Sequence, residues 1–256
     1  MEERELSQNK MGTARMFPLI LSMAVPAMFS MLVQALYNIV DSYFVSQVSE
    51  KGLAAISLAF PIQNLLIAFG VGTAVGVTSL ISRRLGQGRQ DEADSAATHG
   101  ILLSLCTYVL FALYGAFFTT PFFRMFESDP EIVQMGDTYI SICCIFSFGL
   151  FVEISLEKIL QATGNMIWPM IFQLVGAVSN IILDPILIFG LFGFPRMEVA
   201  GAAVATVVGQ ICGGLLALFF NLTRNPDIKL SWKNFLPRKA IVAGIYSVGI
   251  PSIAMQ

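Results

Sequence analysis

Long apolar runs separated by short polar clusters dominate the chain. A bilayer core needs about 20 mainly apolar residues per helix. Six stretches meet that length, at roughly 17–46, 53–82, 95–120, 132–163, 166–194 and 198–222. A seventh run begins near Ile241 and is still apolar at Gln256, so it is expected to be the first piece of a further span in a truncated chain. The polar leader Met1–Arg15 precedes a first run that is too long for a signal-peptide core and has no small-residue cleavage site. The run is therefore read as a retained helix. The pattern predicts an all-α polytopic membrane protein. Its parts are a cytoplasmic leader at 1–15, a six-helix lobe at 16–222, a cytoplasmic linker at 223–239 and the start of span seven at 240–256.

Composition agrees with that pattern and narrows the chemistry. Hydrophobic residues make up 55% of the 256 positions and charged ones only 12%, about half the share in a soluble domain. Mean hydropathy is +0.73. The net charge of −2 carries no basic excess, so nucleic acid is not an expected partner. One histidine and four cysteines, none in a C-x-x-C pair, leave no structural metal site or disulfide framework to expect. Cys106, Cys143, Cys144 and Cys212 sit in apolar runs and read as small core residues. No nucleophile–base pair or metal cluster points to an enzyme.

The cations orient the spans. Twelve of the 15 lie in the leader, the Arg83–Arg89 loop, the end of span four and the 224–239 segment. The other three, Lys51, Arg124 and Arg196, fall on the opposite side. By the positive-inside rule the N-terminus faces the cytoplasm. One internal repeat is also visible. Ile20–Pro26 returns as Ile245–Pro251, with Ile, Ser and Pro matched and the remaining positions alike in kind. Both copies follow a cytoplasmic segment. Such a repeat implies two six-helix halves related by an axis along the membrane normal.

Polar side chains inside the spans fall on single faces. In span one, Ser30, Gln34, Asn38 and Asp41 follow helical spacing, as do Gln173, Asn180 and Asp184 in span five and Thr206 and Gln210 in span six. At 1.5 Å per residue, Asp184 lies roughly 15 Å, Thr206 roughly 12 Å and Asp41 roughly 8 Å from the outer ends of their spans. The three stripes therefore overlap in the outer half of the membrane, where no lysine or arginine is available to pair the two carboxylates. An ionised carboxylate in an apolar interior is heavily penalised, so a proton or an ion must neutralise it for part of any cycle. Carboxylate, amide and hydroxyl oxygens together also suit a hard cation such as sodium. Pro185 removes a helix bond to the Ile181 carbonyl beside this stripe, and Pro26 and Pro185 are both candidates for helix bending. A second stripe, Glu153, Glu157 and Gln161, lies nearer the cytoplasmic end of span four. Glu157 and Lys158 are expected at the interface, whereas the deeper Glu153 can meet a cationic substrate entering from inside. Gly70, Gly72 and Gly76 are expected to let helices approach closely.

Several runs resemble a known family. They are Tyr37–Val45, Leu53–Ala55, Ile81–Gly88, Asn180–Phe189 and Gly201–Thr206, which occur in order from about Pro18 onward. Together they resemble the MATE (multidrug and toxic compound extrusion) transporters, most closely the bacterial DinF-like branch. The resemblance implies the N-terminal lobe, with the start of span seven, of a twelve-helix, two-lobe transporter. It implies antiport of small cationic, amphipathic organic compounds against protons or sodium across the cytoplasmic membrane, with no other cofactor. The implied partners are those substrates, membrane lipid and a C-terminal lobe that this sequence lacks. Ion coupling would then fall to Asp41, Asn180, Asp184 and Thr206, with sodium possible at the first three. Gln34, Asn38, Gln173, Gln210 and Glu153 would line the substrate cavity. The competing reading is a lipid-linked oligosaccharide flippase of the same superfamily, which an acidic outer-half cavity disfavours.

Overall fold

The computed structural model describes residues 15–230 and 238–256. The expected leader, apart from Arg15, lies outside the described residues, as do linker positions 231–237 with Lys233. In chain order the helices are α1 (Met16–Ser46), α2 (Glu50–Gly86), α3 (Gln90–Phe117), α4 (Thr119–Phe126) and α5 (Pro130–Ile145). They continue with α6 (Phe148–Ala162), α7 (Ile167–Phe189), a 3-10 turn at Leu191–Gly193, α8 (Val199–Thr223) and α9 (Lys239–Ala254). Five of these are long and apolar enough to cross a membrane, and the bent pair α5–α6 makes a sixth. The protein is an all-helical, multi-pass membrane protein.

Local chemistry sets the helix ends. Ser49 caps α2, its hydroxyl accepting from the backbone N–H of Lys51 and Gly52 at 3.1 and 3.3 Å. Asp129 caps α5 from the position before Pro130, whose missing N–H costs nothing at a first helical residue. Gly190 closes α7 in the left-handed region, at φ +75°. Lys51 bridges to Asp129 at 2.9 Å and also pairs with Glu131, tying the start of α2 to the start of α5.

Span four departs from the continuous helix expected over 132–163. It breaks at Phe146–Ser147 and bends by 47°. There the Ser147 hydroxyl and N–H both bond to the Cys144 carbonyl, closing a tight turn that the apolar pattern does not reveal. The prolines singled out for bending leave their helices unbroken, with α1 running through Pro26 and α7 through Pro185.

Small residues bring the helices together. A Cβ on Gly209 would meet the Gly176 carbonyl oxygen at 2.7 Å, and one on Gly201 would meet that of Leu187 at 2.7 Å. The α7–α8 pair is accordingly the most extensively packed. Helix α9 seats on α2 in the same way, with Gly76 against the Ile245 carbonyl and Gly72 against Ile253. Gly70 faces Ile154 and Phe151 of α6 instead. Buried apolar residues form two clusters. One holds Val45, Ile62, Phe123 and Val199, and the other holds Ile81, Leu156, Phe220 and Ile245. Helix α1 rests mainly on α7 and exposes Phe17, Val25, Met28 and Met31.

Candidate functional site

Helices α1, α7 and α8 bring Asp41, Asn180, Asp184 and Thr206 into one buried patch. Asp184 is 0% exposed and Asn180 2%, with Thr206 and Asp41 also buried. The Asn180 amide donates to the Thr206 hydroxyl at 3.3 Å, and the Tyr37 hydroxyl lies 3.4 Å from the same oxygen. Asp41 is close enough to Asp184 for their charges to interact. Four buried oxygens here have no hydrogen-bond partner among the described residues: Asp41 Oδ1, Asn180 Oδ1 and both carboxylate oxygens of Asp184. Among the described residues no lysine or arginine forms an ion pair with either carboxylate. Buried acceptors are normally satisfied, so four in one patch set it apart from the rest of the interior.

Beside this patch lies a cavity of about 390 Å³, within the range of small-molecule sites. Gln34, Asn38, Gln173, Gln210 and Glu153 all line it. Asn180 and Thr206 line it as well, whereas Asp41 and Asp184 do not. Asn180 and Thr206 thus belong both to the buried patch and to the cavity wall. Phe60, Ile67, Val71 and Leu150 give the cavity an apolar wall.

Other side chains at the site went unremarked in the sequence. Tyr37 lies three residues after Gln34 and four before Asp41, so helical spacing puts it on their face. Gln63 and Asn64 of α2 also line the cavity, and Gln63 donates to the Tyr139 hydroxyl at 2.9 Å. Tyr139 in turn lies within electrostatic reach of Asp41. Glu157 and Lys158, expected at the interface, also line the cavity. Glu157 is 3% exposed and accepts from Gln173 Nε2 at 3.0 Å, while Lys158 Nζ donates to Gln161 at 2.8 Å. The bend at Ser147 and the close approach of α8 carry this part of α6 inward.

The family model MatE matches residues 26–186. The chain belongs to the MATE family. Multidrug export protein MepA of Staphylococcus haemolyticus is 30% identical over 240 residues, which is 93% of this chain and 52% of that protein. The FAD transporter of Shewanella oneidensis is 28% identical over 188 residues, which is 73% of this chain and 42% of that protein. A solved MOP superfamily transporter from Pyrococcus furiosus superposes with a TM-score of 0.85 at 31% identity, covering 92% of this chain and 52% of that one. The MATE chain described here therefore spans about half the length of these relatives. MATE proteins are transporters, not enzymes, and the helices above have the arrangement of that fold.

Proposed function

We propose that this MATE chain forms one lobe of an ion-coupled antiporter that exports cationic, amphipathic organic compounds across the cytoplasmic membrane. The observation that carries the reading is the set of four unpartnered oxygens on Asp41, Asn180 and Asp184 beside an organic-sized cavity. A proton or sodium ion neutralises the pair in one state and leaves in another, because a bare carboxylate pair in an apolar interior is costly. Asn180 and Thr206 belong both to the buried patch and to the cavity wall, and in this reading they pass a change on one side to the other. Gln34, Asn38, Gln173, Gln210 and Glu153 offer hydrogen bonds and negative charge to a cationic guest.

A second six-helix lobe belongs to this reading, since alternating access needs two bodies moving against each other. The repeat supports it. Ser22 donates to the Leu19 carbonyl and Ser247 to that of Gly244, both at 2.8 Å, and each serine stands four residues before a helical proline. MepA, a multidrug export protein by name, supports the substrate class. The cation distribution supports a cytoplasmic N-terminus. The test is efflux of a cationic dye from proteoliposomes with a proton or a sodium gradient imposed separately. Export driven by neither gradient would refute the coupling.

A further inference from the structure

A second cavity, of about 700 Å³, lies between α4 and the start of α5, at the end of the bundle opposite the Arg83–Arg89 loop. Thr120 and Arg124 of α4, Glu127 and Ser128 of the connecting turn, and Gln134 and Asp137 of α5 supply its polar groups. Its charged groups are not spent on one another. The Arg124 guanidinium makes no ion pair or hydrogen bond among the described residues. Glu127 Oε1 accepts from the backbone N–H of Ser128 and Asp129 at 2.7 and 3.1 Å, which leaves Oε2 free among the described residues. Asp137 Oδ2 accepts from the Thr120 hydroxyl at 2.8 Å, and its covered Oδ1 has no partner among the described residues. The other cations at this end are taken, Lys51 by Asp129 and Glu131 and Arg196 by Glu198.

An unpaired guanidinium and two carboxylates with spare acceptors around one cavity match a ligand that carries an anion and an N–H-bearing ammonium together. The guanidinium fork fits a phosphate, and the carboxylates accept from the ammonium. The surroundings point to the source of such a ligand. Phe117 and Phe118 just before α4, and Met125 and Phe126 at its end, are exposed, while Thr119 and Phe123 on its other face are buried. A short helix that turns apolar side chains outward beside membrane spans belongs at the level where headgroups meet acyl chains. We propose that this cavity is a phospholipid headgroup site selective for phosphoethanolamine. Arg124 takes the phosphate, Glu127 and Asp137 take the ammonium, and Phe118, Met125 and Phe126 meet the acyl chains. The site is independent of the antiport reading, since none of these residues lines the other cavity.

Phosphatidylcholine keeps the phosphate but has no N–H on its ammonium, and phosphatidylglycerol has no ammonium. The test is native mass spectrometry of the purified protein with phosphatidylethanolamine, phosphatidylcholine and phosphatidylglycerol of identical acyl chains in equimolar competition. The most tightly retained lipid on the wild type should be phosphatidylethanolamine, by about tenfold over either competitor, the size expected for one hydrogen bond between charged partners. Glu127→Gln combined with Asp137→Asn should erase that preference. Arg124→Gln should weaken retention of all three lipids, and Arg124→Lys should keep the wild-type order. Arg124 is exposed, so its variants test the site without disturbing the core, and unfolding temperatures in lipid-free detergent check the carboxylate variant. Equal retention of phosphatidylethanolamine and phosphatidylcholine by the wild type, or wild-type retention by Arg124→Gln, would overturn the site. Glycerophosphoethanolamine, the same headgroup without chains, should fail to displace the lipid at equal concentration. Displacement by it would make the ligand a free zwitterion and overturn the assignment to lipid.

Discussion

Asn180 on α7 donates to Thr206 on α8 at 3.3 Å, and both residues belong at once to the wall of an organic-sized cavity and to the buried patch that holds Asp41 and Asp184. Their bond joins the helices that pack most extensively in the bundle. The close approach depends on Gly176 and Gly209, whose backbones nearly touch one turn away.

Thr206→Val removes the acceptor and leaves the Asn180 amide unpaired in a buried setting. An unsatisfied buried polar group costs about 1–3 kcal/mol. Thermal unfolding of the detergent-solubilised variant should start lower than that of the wild type, and Thr206→Ser should restore most of the difference. Equal stability of all three would mean that the bond is incidental.

The helix-packing glycines make a separate prediction. On Gly76 even a methyl group would strike the Ile245 carbonyl. Gly76→Ala should therefore destabilise by about 1–3 kcal/mol through overpacking, whereas Gly86→Ala, which meets open space, should be near neutral. Chemical unfolding monitored by tryptophan fluorescence compares the two.

Much of this arrangement was legible in the sequence, because helical spacing alone put Gln34, Asn38 and Asp41 on one face and Asn180 and Asp184 on another. The cavity gathers all five residues expected to line it. The inward position of Glu157 and Lys158 was not legible. It depends on the break at Phe146–Ser147 and on glycines of α7 and α8 about 20 and 55 residues away, which no local periodicity encodes. Gln63 and Asn64 were hidden for a similar reason. They sit in the middle of a 37-residue apolar helix without a polar stripe of their own to signal them.

Orientation is open to chemical labelling. In a background lacking the four native cysteines, Gln87→Cys and Ser128→Cys place thiols at exposed positions on opposite ends of the bundle. An impermeant thiol reagent applied to intact cells should label Ser128→Cys and spare Gln87→Cys. The reverse pattern would invert the topology.

The bridge from Lys51 holds the Asp129 carboxyl below its ordinary range, with help from the Glu131 backbone N–H. A carboxyl depressed in the folded state stabilises above its unfolded pKa of about 4, and that contribution disappears as the pH falls through the folded value. Asp129→Asn keeps the helix cap but deletes the charge. Its unfolding temperature should fall slightly below that of the wild type at neutral pH and converge with it in acid. The gap should be small, because the pair is solvent-exposed.

The central claim is that Asp41 and Asp184 work as one coupling site, and gradient-driven dye efflux tests it most directly. Asp41→Asn and Asp184→Asn preserve shape and hydrogen-bonding capacity while deleting one charge each. With the second lobe present and incorporation into proteoliposomes matched, each single variant should lose coupled efflux. The double variant should be no worse than either, because residues acting as a unit are non-additive. Near wild-type efflux by either single variant would show that its carboxylate is structural, and would contradict the account.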